Sequence, residues 1–192
     1  QPHENGGTLI PLPKPSIVPG GRFREIFYWD TYFTMLGLQA AGLTGKVEDM
    51  ISNFAFLIDT FGLIPNGNRT YFLTRSQPPF FSFMIKLLQE EKGDSVLIQY
   101  LPQLTNEYNF WMRGADLLRP EEPASEHTVQ LSNGGILNRY WDEMNTPRPE
   151  GYAADLKTHA RALADPSEHY RHIRGACESG WDFSSRWLKD EK

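Results

Sequence analysis

Apolar residues recur at helical spacing over most of the chain between residues 31 and 112. The clearest run follows Thr44 and holds i, i+3, i+4, i+7 spacing: Val47, Met50, Ile51, Phe54, Ala55, Ile58 and Phe61. Thr44 is predicted to cap this helix and Gly62 to end it. The same spacing predicts three more helices, at residues 31–41, 80–89 and 95–112. Pro102 is expected to kink or break the last of them.

The second half of the chain has a different pattern. Residues 128–131 and 136–140 are short strand-like runs on either side of two glycines, which predicts a hairpin. Two further helices are predicted, at residues 151–164 and 166–178. Residues 1–21 lack periodicity, and their closely spaced prolines predict an extended surface segment. We therefore expect a single all-α domain with long loops and one short β-hairpin.

Composition narrows the possible partners. The 192 residues are 40% hydrophobic and 13% aromatic, which is enough for a substantial core. A net charge of −5 argues against nucleic acid or an anionic membrane as partner. Cys177 is the only cysteine, which excludes an internal disulfide, and we interpret it as a packed small thiol. His169 and His172 lack a carboxylate ligand set and are interpreted as exposed helix residues, so no metal is predicted.

One carboxylate near the end of the chain, Asp182, stands between Trp181 and Phe183, with Arg186 and Trp187 one helical turn further on. Aromatic neighbours exclude water from a carboxyl group and favour one that holds a proton near neutral pH. An acid among aromatic and arginine side chains is typical of the proton donor of a glycoside hydrolase. A buried helix end, with Asp182 as a capping acceptor, explains the same residues equally well.

Residues 19–32 read PGGRFREIFYWDTY and mix charged with aromatic side chains. The two glycines allow a tight turn or a close approach of the backbone to a ligand. Guanidinium and carboxylate groups among aromatic faces make a suitable surface for a carbohydrate. Asp30 is expected to cap the helix that follows, to bind the ligand, or to do both.

The connection at residues 63–79 is much longer than the usual loop of about 4–6 residues. It is rich in amide and guanidinium donors: Asn66, Asn68, Arg69, Arg75 and Gln77. Long loops of this kind are candidates for function. The alternative is an Asn-Gly turn with solvated charges around it.

Residues 148–150 form a short Arg-Pro-Glu motif in which Arg148 stands between two prolines. A stiff loop that presents a guanidinium and the Glu150 carboxylate would suit sugar hydroxyl groups. A surface loop with a salt bridge is the alternative.

Together these motifs resemble those of the trehalase family of inverting glycoside hydrolases. Residues 19–32 are similar to the family's PGGRF-x-E-x-Y-x-WD-x-Y signature. The other matching motifs are NGNR at 66–69, RSQPP at 75–79, RPE at 148–150 and ESGWDFSSRW at 178–187. The resemblance runs over essentially the whole chain from about Ile10. The tyrosine of the signature is replaced by Phe27, which we leave out of the predicted site because the hydroxyl is lost.

The resemblance implies an (α/α)6 toroid and hydrolysis of α,α-trehalose to two glucose molecules with inversion, without a cofactor. It implies that Asp182 is the general acid that protonates the bridging oxygen. The substrate-binding positions implied are Arg22, Trp29, Asp30, Asn66, Arg75, Ser76, Gln77, Arg148, Pro149, Glu150 and Gly180. The expected partner is the disaccharide rather than nucleic acid or a membrane, and the expected compartment is periplasmic or secreted.

The family's general base is a glutamate in a more C-terminal segment, and no residue here matches it. We therefore expect the chain to be a fragment, about half of the toroid, which needs the remaining half for completion. Alone it is expected to be inactive and to expose the apolar faces of its helices at 46–61, 80–89 and 95–112. Two alternatives stay open: a truncated, non-catalytic sugar-binding module, and a related toroid α-glucosidase acting on another α-glucoside.

Overall fold

The computed structural model describes residues 7–161 and 165–182. The chain divides into two compact units, Gln1–Glu107 and Tyr108–Lys192, and its assignment to one domain stays a prediction. The helices are α1 (Tyr28–Ala40), α2 (Thr44–Phe61), α3 (Phe81–Lys92), α4 (Ser95–Trp111), α5 (Tyr152–His159) and α6 (Pro166–Glu178). The strands are β1 (Ala124–Ser125), β2 (Thr128–Gln130) and β3 (Ile136–Asn138). Within this described part of the chain, no helix is long and apolar enough to cross a membrane.

Helices α1, α2 and α3 pack against one another and form the core of the first unit. The apolar face predicted for α2 is buried, with Ile51 and Phe54 at most 1% exposed, and it meets Met84 and Ile85 of α3. Gly62 ends α2 as predicted: it has a left-handed backbone (φ 79°), and its N–H donates to Ile58 O at 2.8 Å.

The starts of two helices differ from the prediction. Helix α1 begins at Tyr28, so Asp30 lies in its first turn and the prediction that Asp30 is the N-cap was wrong. The N-cap is Phe27, which has an extended backbone because it forms a β-bridge with Gly67. An acid in the first turn still interacts favourably with the helix dipole. Thr44 is likewise the first residue of α2 rather than its cap, and Leu43 precedes it.

Pro102 lies inside α4, and the helix continues to Trp111, so it does not break there. A proline costs about 3 kcal/mol in a helix interior, and here Val96 and Tyr100 anchor the same helix in the core. The exposed apolar face that was expected is found on α4, where Ile98 is 76% and Leu101 58% exposed. On α2 and α3 most apolar side chains are buried in the core, although Phe83 of α3 is 51% exposed.

The described part of the N-terminal segment has no helix and is held by Asn53 of α2, and its extended conformation stays a prediction. The Asn53 side chain is fully buried. Its Oδ1 accepts from Lys14 N at 2.9 Å, and its Nδ2 donates to Lys14 O at 2.9 Å and to Ser16 Oγ at 2.8 Å. One asparagine therefore holds the segment at Lys14 and Ser16, beyond the antiparallel bridge that Leu9 forms with Arg69.

The predicted hairpin is present in the second unit. Strands β2 and β3 are antiparallel with Val129 opposite Leu137, and the turn uses Gly134 in a left-handed conformation (φ 85°). Strand β1, which the sequence did not predict, adds to β2. Helix α6 has the predicted bounds, with Asp165 accepting from Ser167 N and Glu168 N at its start. Helix α5 ends at His159, earlier than predicted, and residues 162–164 lie outside the described residues.

Candidate functional site

In the first unit the structure brings two of the predicted segments together, at residues 19–30 and 66–77. Tyr28 N donates to Asn66 O at 3.4 Å, and Trp29 N donates to Gln77 Oε1 at 3.3 Å. The bridge between Phe27 and Gly67 continues this contact toward the N-terminal side. The start of α1, which carries Trp29 and Asp30, is thus fixed against the long loop.

The long loop is held by buried amide side chains rather than surrounded by water. Asn68 is 6% exposed; its Oδ1 accepts from Ile26 N at 2.9 Å and its Nδ2 donates to Ile10 O at 3.1 Å. Asn66 is equally buried, and its Nδ2 donates to Ser76 O at 3.4 Å. The alternative of a turn with solvated charges is therefore wrong for these residues. The amides satisfy backbone groups that a buried loop would otherwise leave without partners.

Gly67 is needed at the centre of this loop because the neighbouring chain approaches it closely. A Cβ at this position would lie 3.2 Å from Ile26 O and 3.1 Å from the Phe72 ring. The backbone oxygen cannot move away without breaking the bridge to Phe27. The Asn-Gly-Asn sequence thus serves close packing of two segments.

Arg75 is the largest fully buried side chain of the described residues, at 1% exposure. Its guanidinium carbon lies 5.1 Å from the centroid of the Phe72 ring, in the range of a cation–π contact. Ser76, which follows it, is also buried and donates from Oγ to Ile64 O at 2.6 Å. Arg75, Ser76 and Gln77 therefore belong to the buried part of the loop, with Gln77 bound to the start of α1.

A cavity of about 230 Å³ lies beside the glycine pair of the signature segment. Its lining includes the two exposed predicted site residues Arg22 and Asp30, together with the Phe27 ring. One wall is stiffened by an ion pair in which Arg69 Nε lies 2.5 Å from Glu25 Oε1. The cavity is smaller than the roughly 300–1,000 Å³ of typical ligand pockets, so it can hold part of a ligand.

Aromatic rings surround the predicted binding residue Trp29. Its ring centroid lies 6.1 Å from that of Phe33 and 6.1 Å from that of Phe80. The set continues with Tyr32 and Phe83, both of which contact Phe80. Edge-to-face contacts of this kind fix the plane of each ring. Trp29 is therefore held in one orientation while it stays partly exposed.

In the second unit Arg148 is bound tightly by Asp155, a residue that the sequence analysis did not select. Arg148 Nη2 donates to Asp155 Oδ1 at 2.6 Å, and Nε donates to Oδ2 at 3.0 Å. Arg148 Nη1 lies 2.8 Å from the sulfur of Cys177, which is buried as predicted. The Arg-Pro-Glu turn therefore lies against the end of α6, just before Gly180 and Asp182.

Asp182 follows the end of α6 in a sharp turn. Gly180 (φ 70°) and Asp182 (φ 48°) both have left-handed backbones, a conformation uncommon for residues other than glycine and one that recurs at functional sites. Trp181 is 49% exposed and Asp182 is exposed, so Trp181 does not enclose the carboxyl as the sequence suggested. The other neighbours named for that enclosure, Phe183, Arg186 and Trp187, lie outside the described residues.

Two buried pairs of polar side chains hold the surroundings of this turn. Glu178 is completely buried; its Oε1 lies 3.2 Å from His127 Nε2, and its Oε2 accepts from Trp141 N at 2.5 Å. Arg174 donates from Nη1 to Asp142 Oδ2 at 3.1 Å. The sequence analysis missed both pairs. The signal was available, because Arg174 and Glu178 share the face of α6 that carries Tyr170, Ile173 and Cys177.

The histidines on α6 differ in exposure. His172 is exposed, as predicted. His169 is half-buried instead, with its ring 5.4 Å from that of His159, and burial together with His159 lowers its pKa. Across residues 7–161 and 165–182, no three His, Cys, Asp or Glu side chains are grouped to hold a metal ion.

Comparison with known proteins agrees with the motifs. The family model for trehalase matches residues 1–192. A periplasmic trehalase from Pseudomonas aeruginosa is 58% identical over 184 residues, 95% of this chain and 34% of the relative. A periplasmic trehalase from Xanthomonas campestris is 55% identical over 186 residues, 96% of this chain and 33% of the relative. The chain spans about a third of the length of these curated relatives.

A solved structure, a neutral trehalase from Saccharomyces cerevisiae, matches with a TM-score of 0.60 and 27% identity. The match covers 88% of this chain and 34% of that chain. Together with the observed helices, it confirms the predicted fold class, all-α and of the (α/α)6 toroid type.

Proposed function

The chain belongs to the trehalase family, and from this premise we propose that the protein containing it hydrolyses α,α-trehalose to two glucose molecules with inversion. The observation that carries the proposal is the family match over all 192 residues, which includes every motif that forms the site. The alternatives of a sugar-binding module and of a glucosidase for another α-glucoside predict different outcomes in the tests below.

The arrangement in the first unit supports a role in substrate binding. Arg75 and Gln77 place a guanidinium and an amide in the loop that contacts the start of α1, Arg22 and Asp30 line a cavity, and Trp29 offers a fixed aromatic face. Sugar hydroxyl groups accept and donate hydrogen bonds, and apolar sugar faces stack on aromatic rings. We infer that these residues, together with Asn66 and Ser76, bind one or both glucose rings.

In the second unit we propose that Asp182 is the general acid that protonates the bridging oxygen. A proton donor needs access to the substrate, and Asp182 is exposed on a constrained turn. Arg148, Pro149, Glu150 and Gly180 are proposed to contact substrate in the same region. Arg148 and the α6 end that leads to Asp182 are already in contact, through Arg148 Nη1 and Cys177 Sγ.

Inversion requires a second carboxylate, which activates a water molecule on the opposite face of the sugar. In inverting glycoside hydrolases the two carboxyl groups stand roughly 6.5–9.5 Å apart so that the water has room. The resemblance assigns that base to no residue of the 192. We therefore propose that the 192 residues by themselves bind sugar without hydrolysing it, and that the complete protein is the catalyst.

The test is hydrolysis of trehalose by the complete protein, followed by ¹H NMR in the first minutes. Inversion at one α-linked carbon gives one β-glucose and one α-glucose per trehalose, so the two anomers should appear in equal amounts before mutarotation. A retaining enzyme would first give α-glucose alone. Release of no glucose from trehalose, but release from other α-glucosides such as maltose, would favour the glucosidase alternative.

A parallel assay uses residues 1–192 alone, with maltose as a control sugar. Sugar binding without glucose release agrees with the proposal, whereas turnover comparable to that of the complete protein contradicts it.

We also propose a periplasmic location, because the relatives from Pseudomonas aeruginosa and Xanthomonas campestris are named periplasmic trehalases. Fractionation of cells that express the complete gene tests this, since enzyme released by osmotic shock is periplasmic.

A further inference from the structure

We propose that Asp155 is a positioning residue that fixes the guanidinium of Arg148 in the orientation in which it meets the sugar; this rests on the function proposed above. Neither the signature motifs nor the resemblance singled out Asp155. It lies on α5, seven positions after Arg148, and its side chain is 3% exposed.

Asp155 contacts Arg148 at three points. Its Oδ2 accepts from Arg148 N at 2.9 Å and from Nε at 3.0 Å, and its Oδ1 accepts from Nη2 at 2.6 Å. The two side-chain contacts form a bidentate fork, which fixes the plane of the guanidinium as well as its position. The contact to the backbone N–H fixes the start of the Arg-Pro-Glu turn at the same time.

The fork determines where the opposite edge of the guanidinium lies. With Nε and Nη2 held by Asp155, Nη1 is directed to the end of α6, where it meets Cys177 Sγ at 2.8 Å. Asp182 follows Cys177 by five positions. The orientation set by Asp155 therefore places Arg148 Nη1 against the end of α6, the helix that leads to the proposed acid.

Gly151 lies directly against this fork. A Cβ at residue 151 would lie 2.9 Å from Arg148 Nη2 and 3.5 Å from Asp155 Oδ1. The backbone of Gly151 is not left-handed (φ −128°), so conformational freedom is not the reason for a glycine here. A side chain at this position would instead displace the guanidinium from its fork.

Electrostatics keep both groups charged. Burial raises the pKa of Asp155, but the hydrogen bonds and charge of Arg148, with a smaller effect of Arg174, outweigh it and lower the pKa overall. Burial likewise lowers the pKa of Arg148, and Asp155, Cys177 and Glu150 more than reverse this. The fork therefore persists across the neutral range. A guanidinium fixed in advance loses little further entropy when substrate binds.

The experiment is a double-mutant cycle in the complete protein with trehalose as substrate. Asp155→Asn removes the charge and one acceptor of the fork, and kcat/KM is expected to fall at least about tenfold, mainly through KM. In an Arg148→Ala background the same change should alter kcat/KM less than about twofold, because Asp155 then has nothing to position. A purely structural carboxylate would cause the same loss in both backgrounds.

Two further variants keep the test decisive. Gly151→Ala retains both charges but displaces the guanidinium, so it should reproduce the rise in KM even where Asp155→Asn fails to fold. Asp165→Ala removes the cap of α6 and is the control: it should lower the melting temperature without changing kcat/KM. Unchanged kcat/KM in Gly151→Ala, or equal losses in both backgrounds, overturns the inference. Absence of trehalose hydrolysis by the unmodified protein refutes the proposed function instead, and the inference with it.

Discussion

Tyr28 and Glu107 are joined by a hydrogen bond inside the first unit, although 79 positions separate them in sequence. The Tyr28 hydroxyl donates to Glu107 Oε1 and accepts from Phe81 N at 2.7 Å. One side chain at the start of α1 thus links the start of α3 to α4. Trp29 and Asp30 follow Tyr28 directly, so this link also fixes the segment that carries two of the proposed binding residues.

The first prediction concerns the pH dependence of stability. Burial raises the pKa of Glu107 to about 7 from an ordinary value of 4.5, and the Tyr28 hydrogen bond only partly opposes this. A raised folded-state pKa adds stability that is complete below pH 4.5 and is lost as the pH rises through 7. The loss corresponds to about 3 kcal/mol. We expect Glu107→Gln to flatten the dependence of the melting temperature on pH between 5 and 8.

The control for this experiment is Glu90→Gln, because Glu90 is an exposed acid on α3. It should keep the slope of the unmodified protein. If the Glu107→Gln protein lost stability between pH 5 and 8 as steeply as the unmodified protein, the buried carboxyl would not be the titrating group.

The second prediction concerns the N-terminal segment. Asn53→Ala removes three hydrogen bonds to Lys14 and Ser16, and at about 1 kcal/mol each the free energy of unfolding should fall by about 2–3 kcal/mol. Hydrogen exchange at the Lys14 amide should become faster at the same time. Asn106→Ala, at an exposed position of α4, is the matched control and should change neither quantity. Slow exchange at Lys14 in Asn53→Ala would show that other contacts hold the segment.

Local sequence patterns were sufficient to predict the elements that are stabilised by a turn residue or by a helix's own apolar face. The spacing of Ile51, Phe54 and Ile58 predicted α2 because the same spacing places these side chains in the core. Gly134 predicted the hairpin turn because its left-handed backbone suits glycine. Helix starts were less predictable: Phe27 replaces Asp30 as the cap of α1 because of a bridge to Gly67, forty positions away.

Buried carboxylates were the least predictable part of the site. Glu107, Asp155 and Glu178 read as ordinary helix-surface acids, because the partner that makes burial possible is distant in sequence or in another element. The motifs located Arg148, but only the fold shows that Asp155 fixes it. Local sequence also suggested that Asp182 is enclosed by aromatic rings, whereas Trp181 leaves it exposed.

The third prediction concerns Arg174, which supports the loop before Arg148. Arg174 Nε donates to Thr146 O at 2.6 Å and Nη2 donates to Pro147 O at 3.1 Å, in addition to its contact with Asp142. A lysine offers one compact ammonium and cannot reach all three acceptors. Arg174→Lys should therefore lower the free energy of unfolding by about 2–3 kcal/mol and raise KM for trehalose.

The matched control is Arg171→Lys, at an exposed position of the same helix. It should leave both the stability and KM unchanged. Equal stability of Arg174→Lys and the unmodified protein by chemical denaturation would contradict the role assigned to the buried guanidinium of Arg174.

The fourth prediction tests the proposed acid directly. Asp182→Asn cannot donate a proton to the bridging oxygen, and a positioned acid contributes roughly 10²–10⁴-fold, so kcat for trehalose should fall by that factor. Fluoride leaves without protonation, so the same variant should retain most of its activity on α-glucosyl fluoride. Asp116→Asn, which alters an exposed acid elsewhere in the second unit, is the control and should retain full activity on both substrates. A loss of less than about tenfold on trehalose, or equal losses on both substrates, would mean that Asp182 is not the proton donor.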